Sequence, residues 1–363
     1  MNLSLSDEQE FLREAARGAL GRENYVEAAR GALDGGGLPD VWPIAKEAGW
    51  PGLLVSEEHG GAALSPFDAM LVMTETGRVL APVPLLGHLV ASYLLDRGGY
   101  DGIQEIATGE KRAAYVPARP PSDLESSWTT DAERGAQRAP APKLEGGKVT
   151  GAVHWVPDAP GADVLVVVCD GGTVAVVEGA KVEEARRYDP TRSLGHVKLD
   201  GVEATELSGA DGAAAWYLAQ ALIAAEGLGT VETCLDMAVQ YAKERFTFGR
   251  AIGSYQAVKH DLVEILRRSE NSRSLMYYTG WAGQDKPEEF PVAASAFRLA
   301  AGHALDHAAR AQISVHGGIG ATWEHDAPLY FRRAQLSRRL LGGAADAADR
   351  VAGELLEAAR AAA

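Results

Sequence analysis

The chain has 363 residues, with 50 acidic residues against 35 basic ones, two cysteines and 46% hydrophobic residues. A net charge of −15 gives no overall field that would attract phosphates, which argues against nucleic-acid and anionic-membrane binding. Cys169 and Cys234 alone can form neither a disulfide framework nor a four-ligand zinc site, and we predict no metal site. The sequence shows neither a signal-peptide pattern nor a long uncharged apolar run, so we expect a cytoplasmic protein without membrane insertion.

The first part of the chain has a helical pattern that runs from Ser6 to about Leu95. Ser6 stands three residues before Gln9, which is the spacing of a helix capping box, and apolar residues then recur at helical intervals. Residues 40–49 and 67–80 predict two further helices.

The composition changes after Gly109. Short valine-rich runs separated by Gly, Pro and Asp predict strands at 111–118, 148–157, 163–169, 173–178 and 196–202. Residues 121–140 lack apolar periodicity, and we predict a mobile loop there.

Long helices return from residue 213 onward, and their small residues permit the close approach of a helix bundle. Helices, then strands, then helices, without alternation of the two, predict an α+β protein rather than a doubly wound sheet. We predict an N-terminal helical domain at 1–109, a middle β-domain at 110–209 and a C-terminal helical domain at 210–363.

Most general catalytic templates are missing from the sequence. The Gly227-Leu228-Gly229 stretch lies inside a predicted helix rather than after a strand, so helix packing explains it better than nucleotide binding. There is no Gly-x-Ser-x-Gly, no Walker loop and no His-Glu-x-x-His, which disfavours nucleophilic and metal catalysis.

Two segments are unusual. Residues 241–256 (YAKERFTFGRAIGSYQ) end one predicted helix and begin the next, and they bring together Arg245, Phe248 and Gln256. A guanidinium suits pyrophosphate and a ring can pack on adenine, although a plain helical hairpin also fits this segment. Residues 312–326 (QISVHGGIGATWEHD) carry three glycines within four residues, more than a single helix end requires. Together the two segments favour a ligand site.

These segments resemble the two C-terminal signatures of the acyl-CoA dehydrogenase family. Further similarity comes from residues 52–84 in the helical part, and from 108–114, 149–168 and 187–202 in the β-part. The resemblance implies an N-terminal helical domain, a middle β-barrel and a C-terminal four-helix bundle. It also implies desaturation of an acyl-CoA thioester, in which a Glu base removes a proton, a hydride passes to a flavin and an electron carrier reoxidises the flavin.

The resemblance further implies a set of cofactor contacts that serve an FAD lying in the neighbouring subunit. These residues would contact its ADP half: Arg245, Phe248, Gln256, Gln312, Gly317 and Gly318.

Leu341 and Ala219 occupy the two positions at which this family carries its catalytic Glu, and neither side chain can accept a proton. Glu226 and Glu324 are weak substitute candidates, and a solvated or helix-capping role fits each of them better. We therefore predict no catalytic base in this chain.

The flavin-binding loop is altered as well. At the place of the family's Thr-Glu-x-x-x-Gly-Ser-Asp segment, residues 115–123 read YVPARPPSD, retain Ser122 and Asp123 at best, and contain three prolines, which lack backbone donors. Trp155, in the strand that usually carries an aromatic residue beside the flavin, is either a surviving contact or core.

This pattern resembles the base-lacking subunit of actinobacterial α2β2 acyl-CoA dehydrogenases that act on steroid side-chain thioesters. It implies a paralogous catalytic subunit, an acyl-CoA substrate, an electron-transfer acceptor and an FAD shared with the neighbouring subunit. Two alternatives remain open at this point: a self-sufficient homotetrameric dehydrogenase with a non-standard base, and a non-enzymatic acyl-CoA-binding or scaffold protein.

Overall fold

The computed structural model describes residues 4–121, 125–131, 137–186 and 188–361. The N-terminal part forms α1 (Asp7–Leu20), α2 (Tyr25–Leu33), α3 (Trp42–Glu47), α4 (Pro66–Arg78), α5 (Leu85–Arg97) and α6 (Ile103–Ala107). The predicted capping box is confirmed, because Ser6 and Gln9 each accept a hydrogen bond from the other's backbone N–H. Helices α4 and α5 are buried along most of their length, so they form the centre of this part.

The described residues of the middle part form these strands: β1 (Ala113–Val116), β2 (Trp128–Asp131), β3 (Gln137–Pro140), β4 (Lys143–Glu145), β5 (Lys148–Pro157), β6 (Val164–Val168), β7 (Val174–Glu178), β8 (Lys181–Glu184), β9 (Leu194–Glu203) and β10 (Thr205–Glu206). One four-stranded sheet has the order β1-β6-β7-β10 and the other β4-β5-β9-β8. Their inner faces share an apolar core that includes Val116, Val153, Val167 and Val197. Each of the five predicted strand runs coincides with one of these strands: four runs contain β1, β5, β6 and β7, and the run at 196–202 lies within β9.

The expectation of a loop over 121–140 is wrong in part. Strands β2 and β3 pair antiparallel within it, with Trp128 opposite Pro140 and Thr129 opposite Ala139. Trp and Thr favour extended backbone, and Pro140 ends its strand where a missing donor costs little. Ser122 and Asp123 lie outside the described residues.

The C-terminal part is a helix bundle of α7 (Gly212–Glu244), α8 (Gln256–Asp285), α9 (Phe290–His316), α10 (Ala327–Ser337) and α11 (Gly343–Ala361), with short strands β11 (Phe246–Thr247) and β12 (Arg250–Ala251) between α7 and α8. Gly229 lies within α7, where a Cβ atom would approach the Thr74 carbonyl of α4 to 1.9 Å. The packing interpretation of the 227–229 glycines is therefore confirmed at Gly229.

The α+β class is confirmed: helices, a central sheet region and a helix bundle follow one another along the chain. The predicted boundaries near 109 and 209 fall between α6 and β1 and between β10 and α7, and the division into domains remains a prediction. In the described ranges no helix is long and apolar enough to cross a bilayer.

Candidate cofactor-contacting surface and central cavity

The segment between α7 and α8 is a tight hairpin that presents an aromatic ring to solvent. Thr247 pairs with Arg250 across β11 and β12, which leaves Phe248 and Gly249 as the two turn residues, both with positive φ (49° and 77°). Such primed turns suit hairpins, but a bulky residue at positive φ is strained. Phe248 is 94% exposed, so burial of its ring within this chain does not offset the strain.

Arg245 ends α7 at the base of the hairpin. Its backbone N–H caps the helix by donating to the Tyr241 carbonyl at 2.8 Å, while its side chain is exposed and makes no ion pair with any acidic residue that the structure describes. Arg250 differs, since its guanidinium carbon lies 4.0 Å from the centroid of the Tyr255 ring. Gln256 is exposed at the start of α8. The hairpin therefore offers a free guanidinium, a ring and an amide on its outer face.

The structural reason for a glycine differs among the three glycines after α9. Gly317 has φ 65° and ψ −141°, a conformation that only glycine adopts easily. Gly320 is packed, because a Cβ atom there would lie 2.6 Å from Cβ of His316. Gly318 has neither reason: its φ is not positive, and a Cβ atom would meet nothing within 4 Å. Nothing in the described part of the chain requires a glycine at 318, which directs attention to a molecule that approaches from outside.

The fold brings these two segments together. The Tyr241 ring, one turn before Arg245, lies 4.5 Å from the His316 ring, which immediately precedes Gly317. We call the exposed group of Arg245, Phe248, Gln256, Gly317 and Gly318 the hairpin–glycine surface.

Gln312 lies apart from this surface. Its side chain is fully buried, with Nε2 3.5 Å from the Ala327 carbonyl and Oε1 without a hydrogen-bond partner in the described part of the chain. Helical periodicity explains the difference, because position 312 shares the buried face of α9 with Ala308, Ala309 and His316. Its cofactor contact remains an untested prediction.

A second feature is a cavity of about 520 Å³ between the middle strands and the bundle, which we call the central cavity. It is lined by Pro117, Trp128, Thr129, Thr130, Arg138, His154, Trp155, Arg186, Tyr188, Leu194, Trp216, Leu336, Arg339, Leu340, Leu341 and Gly342. Trp155 is therefore a cavity contact. Sequence reasoning missed most of the others; Trp128 and Arg138 fall in the segment that was expected to be a loop.

Leu341, one of the two residues predicted to stand in place of the family's Glu, lies in the cavity wall. It has positive φ (53°) and is 7% exposed. Gly342 follows, and a Cβ atom there would lie 3.3 Å from the Trp128 ring. Ala219, at the alternative position, is fully buried in α7 and does not line the cavity. None of the described residues that line the cavity carries a carboxylate.

Buried side chains hold the loop that carries Leu341 through hydrogen bonds. Arg298 Nη2 donates to the carbonyls of Ser337 (2.7 Å) and Leu340 (2.9 Å), and its Nε donates to Gln220 Oε1 at 3.0 Å. Gln220 in turn donates to the Leu341 carbonyl. Burial lowers the pKa of Arg298 to about 10, which still leaves it charged at neutral pH. The base-free loop is thus fixed by buried hydrogen bonds.

The expectation that Glu226 is solvated or caps a helix is wrong. It lies in the middle of α7 and is 3% exposed. One carboxylate oxygen accepts from Arg333 Nη1 at 2.7 Å and the other from Arg192 Nη2. Both oxygens are occupied by buried cations, which disfavours a role as a proton acceptor. Glu324 is exposed, as expected for a solvated carboxylate.

The same buried network contains two more carboxylates. Arg333 Nε donates to Asp189 at 2.6 Å, and this charge lowers the pKa of Asp189 against the effect of burial. Asp158 accepts from the Gly87 backbone N–H at 2.8 Å, and burial raises its pKa to about 6. The network ties α5, the middle strands and the bundle together.

The segment after β1 offers few donors to a flavin ring. Pro117, Pro120 and Pro121 have no N–H, and the Arg119 N–H already donates to the Trp128 carbonyl at 2.8 Å. The described residues on this face of the cavity therefore fit a flavin poorly, whereas the hairpin–glycine surface carries the cation and ring that the ADP half of FAD would need.

The fold and these signatures define a class of flavin-dependent dehydrogenases, and comparisons with known proteins agree. Family models described as acyl-CoA dehydrogenase, N-terminal domain, and acyl-CoA dehydrogenase, C-terminal domain, match residues 6–118 and 215–355. Acyl-CoA dehydrogenase IpdE2 of Mycolicibacterium smegmatis is 31% identical over 93% of this chain and 96% of its own length. The Mycobacterium tuberculosis protein of the same name is 31% identical over 97% and 98%.

Solved structures share the fold. A subunit of the Tcur3481-Tcur3483 steroid ACAD has a TM-score of 0.84 at 23% identity, covering 98% of this chain and 100% of its own. A chain of the ChsE4-ChsE5 complex from Mycobacterium tuberculosis has a TM-score of 0.80 at 23% identity, covering 98% and 99%. The chain belongs to the acyl-CoA dehydrogenase family, whose members are oxidoreductases.

Proposed function

We propose that this chain is one subunit of a heteromeric FAD-dependent acyl-CoA dehydrogenase. It contributes the hairpin–glycine surface to the FAD site of a paralogous catalytic subunit, and that subunit supplies the base. The observation that carries the proposal is an asymmetry: five of the six predicted cofactor contacts are exposed and Gln312 is buried, while the described lining of the central cavity contains Leu341 and no carboxylate.

The hairpin–glycine surface has the properties of a binding surface that a second subunit would complete. Arg245 has no acidic partner in the described chain, Phe248 holds a strained backbone with an exposed ring, and Gly318 has no reason within this chain to be glycine. A guanidinium pairs with a pyrophosphate, a ring packs on adenine, and a glycine lets a second chain or a cofactor come close. Bound FAD would supply the hydride acceptor of the desaturation.

The central cavity supports no desaturation by this chain alone. Loss of a positioned general base costs about 10²–10⁴-fold, and an α-C–H proton is a weak acid that needs one. Glu226 cannot readily substitute, because taking it away would leave the buried Arg192 without a carboxylate partner among the described residues and Arg333 with Asp189 alone.

The proposed assembly is an α2β2 tetramer that oxidises an acyl-CoA, with a steroid side chain as the candidate acyl group and an electron-transfer protein as the acceptor. Support comes from the similarity to chains of a complex and of a steroid enzyme. The partner would be a paralogue that carries the Glu and the intact flavin loop.

The test is to co-express this chain with paralogues encoded nearby and to measure FAD bound per purified complex. Arg245→Ala removes an exposed guanidinium that makes no ion pair with a described residue, so the fold should not change. The complex should therefore form, with its FAD occupancy reduced at least fivefold. Arg22→Ala is the matched control, because Arg22 is an exposed arginine whose contact is a surface pair with Glu47. Unchanged occupancy in the Arg245→Ala complex would contradict the shared site.

A self-sufficient homotetrameric enzyme would differ in the flavin content and the turnover of the isolated chain. The isolated chain would bind one FAD per protomer and turn over acyl-CoA, and Glu226→Gln or Glu324→Gln would abolish the turnover. The buried pairing of Glu226 and the exposure of Glu324 give that alternative no support.

A further inference from the structure

The central cavity is too well formed to be a filled remnant of a lost site. Its volume of about 520 Å³ falls in the range of small-molecule sites, roughly 300–1,000 Å³. Hydrogen bonds from Arg298 and Gln220 fix the floor of the cavity. The Leu341 side chain supplies no base, but it does not fill the cavity. An apolar pocket of this size, with a few polar groups converging on it, is the usual form of a ligand site.

Three tryptophans form the aromatic part of the wall. Trp128 and Trp216 meet edge to face, with ring centroids 6.1 Å apart and planes at 76°. Trp155 has positive φ (59°) where β5 breaks its register with β9, so a backbone strain is maintained at the residue that faces the cavity. Indole rings offer broad, rigid faces and edges to a planar or fused-ring ligand.

The charged part of the wall is cationic. Arg186 and Arg339 are exposed, and neither makes an ion pair with a residue that the structure describes. Arg138 lies over Trp128, 4.4 Å from the ring centroid, and pairs with Glu125. Among the lining residues that the structure describes there is no Asp or Glu, although the chain as a whole carries a charge of −15. Arginines that stay charged in a carboxylate-free pocket create a local field for an anion.

Further polar features of the cavity wall favour a ligand group that accepts hydrogen bonds over one that donates them. The Trp128 Nε1 donor is buried without a partner in the described ranges, and the wall offers guanidinium donors rather than acidic acceptors. Guanidinium groups bind carboxylates through paired hydrogen bonds.

We propose that the central cavity binds a ring-bearing carboxylate: an aromatic or fused-ring group held among the tryptophans, with its carboxylate facing Arg186 and Arg339. This goes beyond the proposed function, which assigns the redox chemistry to the partner subunit, and it can fail or succeed independently of that function. The ligand is either a free ring acid or the ring-acid end of a coenzyme A thioester, and the chemistry recognised here is the same for both.

The test is isothermal titration calorimetry of the full chain, alone or in its co-purified complex, with 2-naphthoate, with neutral 2-naphthamide and with FMN. We expect 2-naphthoate to bind at least tenfold more tightly than 2-naphthamide, and to weaken as NaCl is raised. Arg339→Gln and Arg186→Gln should each weaken 2-naphthoate about fivefold or more and leave 2-naphthamide unchanged. Arg22→Gln is the control and should change neither.

A second comparison separates the two sources. If the free acid is the ligand, coenzyme A will not compete with 2-naphthoate. If the thioester is the ligand, a coenzyme A thioester of 2,6-naphthalenedicarboxylic acid will bind more tightly than 2-naphthoate. The Arg339→Gln substitution will then weaken the binding of that thioester. Equal binding of naphthoate and naphthamide would overturn the proposal, and so would arginine variants without effect. FMN binding tighter than 2-naphthoate and insensitive to both variants would identify a flavin pocket instead.

Discussion

The hairpin–glycine surface and the central cavity lie in one chain but differ in how their polar groups are used. At the surface, Arg245 makes no ion pair with a described residue, Phe248 is exposed on a strained turn, and a Cβ atom at Gly318 would meet no described atom within 4 Å. Around the cavity floor, buried polar groups are paired with one another: Arg298 with carbonyls, and Glu226 with two arginines. We expect another molecule to complete the surface, whereas the hydrogen bonds of the cavity floor are formed within the chain.

This difference separates two kinds of loss. If Leu341 stands in place of a base, as we predict, the change removes chemistry but not the hydrogen bonds to the backbone of this loop, so the fold is unaffected. Loss of the exposed side chains of Arg245, Phe248 and Gln256 would cost this chain little stability, so we expect their use to lie outside the chain.

The largest expected effect tests whether Glu226 belongs to the structure or to a reaction. Glu226→Gln leaves Arg192 and Arg333 in a buried site with one carboxylate fewer, and we expect the free energy of unfolding to fall by about 3–5 kcal/mol. Urea denaturation of the purified chain measures this. Glu324→Gln is the control and should stay within about 0.5 kcal/mol. A Glu226→Gln variant of normal stability that lacks turnover would make Glu226 a base and break the comparison.

The second effect concerns Asp158 and pH. Its pKa is about 6 in the folded chain against an ordinary value of 3.8, so between those values the folded state holds more protons than the unfolded state. The free energy of unfolding should therefore decrease as the pH rises from about 4 to about 6, with a total contribution of about 3 kcal/mol.

Asp158→Asn isolates that contribution, because the amide keeps an acceptor for the Gly87 N–H but carries no charge. We expect the stability difference between Asp158→Asn and the parent to grow in favour of the variant across this pH window. A difference that stays constant from pH 4 to pH 6 in urea denaturation would show that the carboxyl titrates normally.

The smallest effect on stability distinguishes the neighbouring glycines. Gly317→Ala forces a side chain into a strained conformation and should lower the unfolding free energy by about 1–3 kcal/mol. Gly318→Ala should leave the stability of the isolated chain unchanged, yet lower FAD occupancy of the co-expressed complex. Thermal unfolding and flavin absorbance provide the two readings; a Gly318→Ala complex with full FAD would remove Gly318 from the shared site.

Much of the fold could be predicted because its signals are local. Helical spacing after the Ser6 cap, the valine runs and the long alanine-rich segments depend on near neighbours, and each matches an observed element. The β2–β3 hairpin could not be predicted so easily, because its two strands are short and surrounded by Pro and polar residues.

Side-chain roles were harder to predict where they depend on distant partners. Arg192 and Arg333 stand 34 and 107 residues from Glu226, so no local pattern could reveal its burial. Gln312 was placed with its neighbours in the signature, but its position on α9 turns it inward. The arginines of the central cavity come from separate elements and are brought together only by the fold.

The central claim is that this chain completes a partner's flavin site and does not hold one of its own. Native mass spectrometry of the complex formed with a paralogue measures this most directly, because it counts chains and FAD in one experiment. We predict equal numbers of the two chains and one FAD for each pair. A homotetramer of this chain carrying one FAD per protomer would contradict the account.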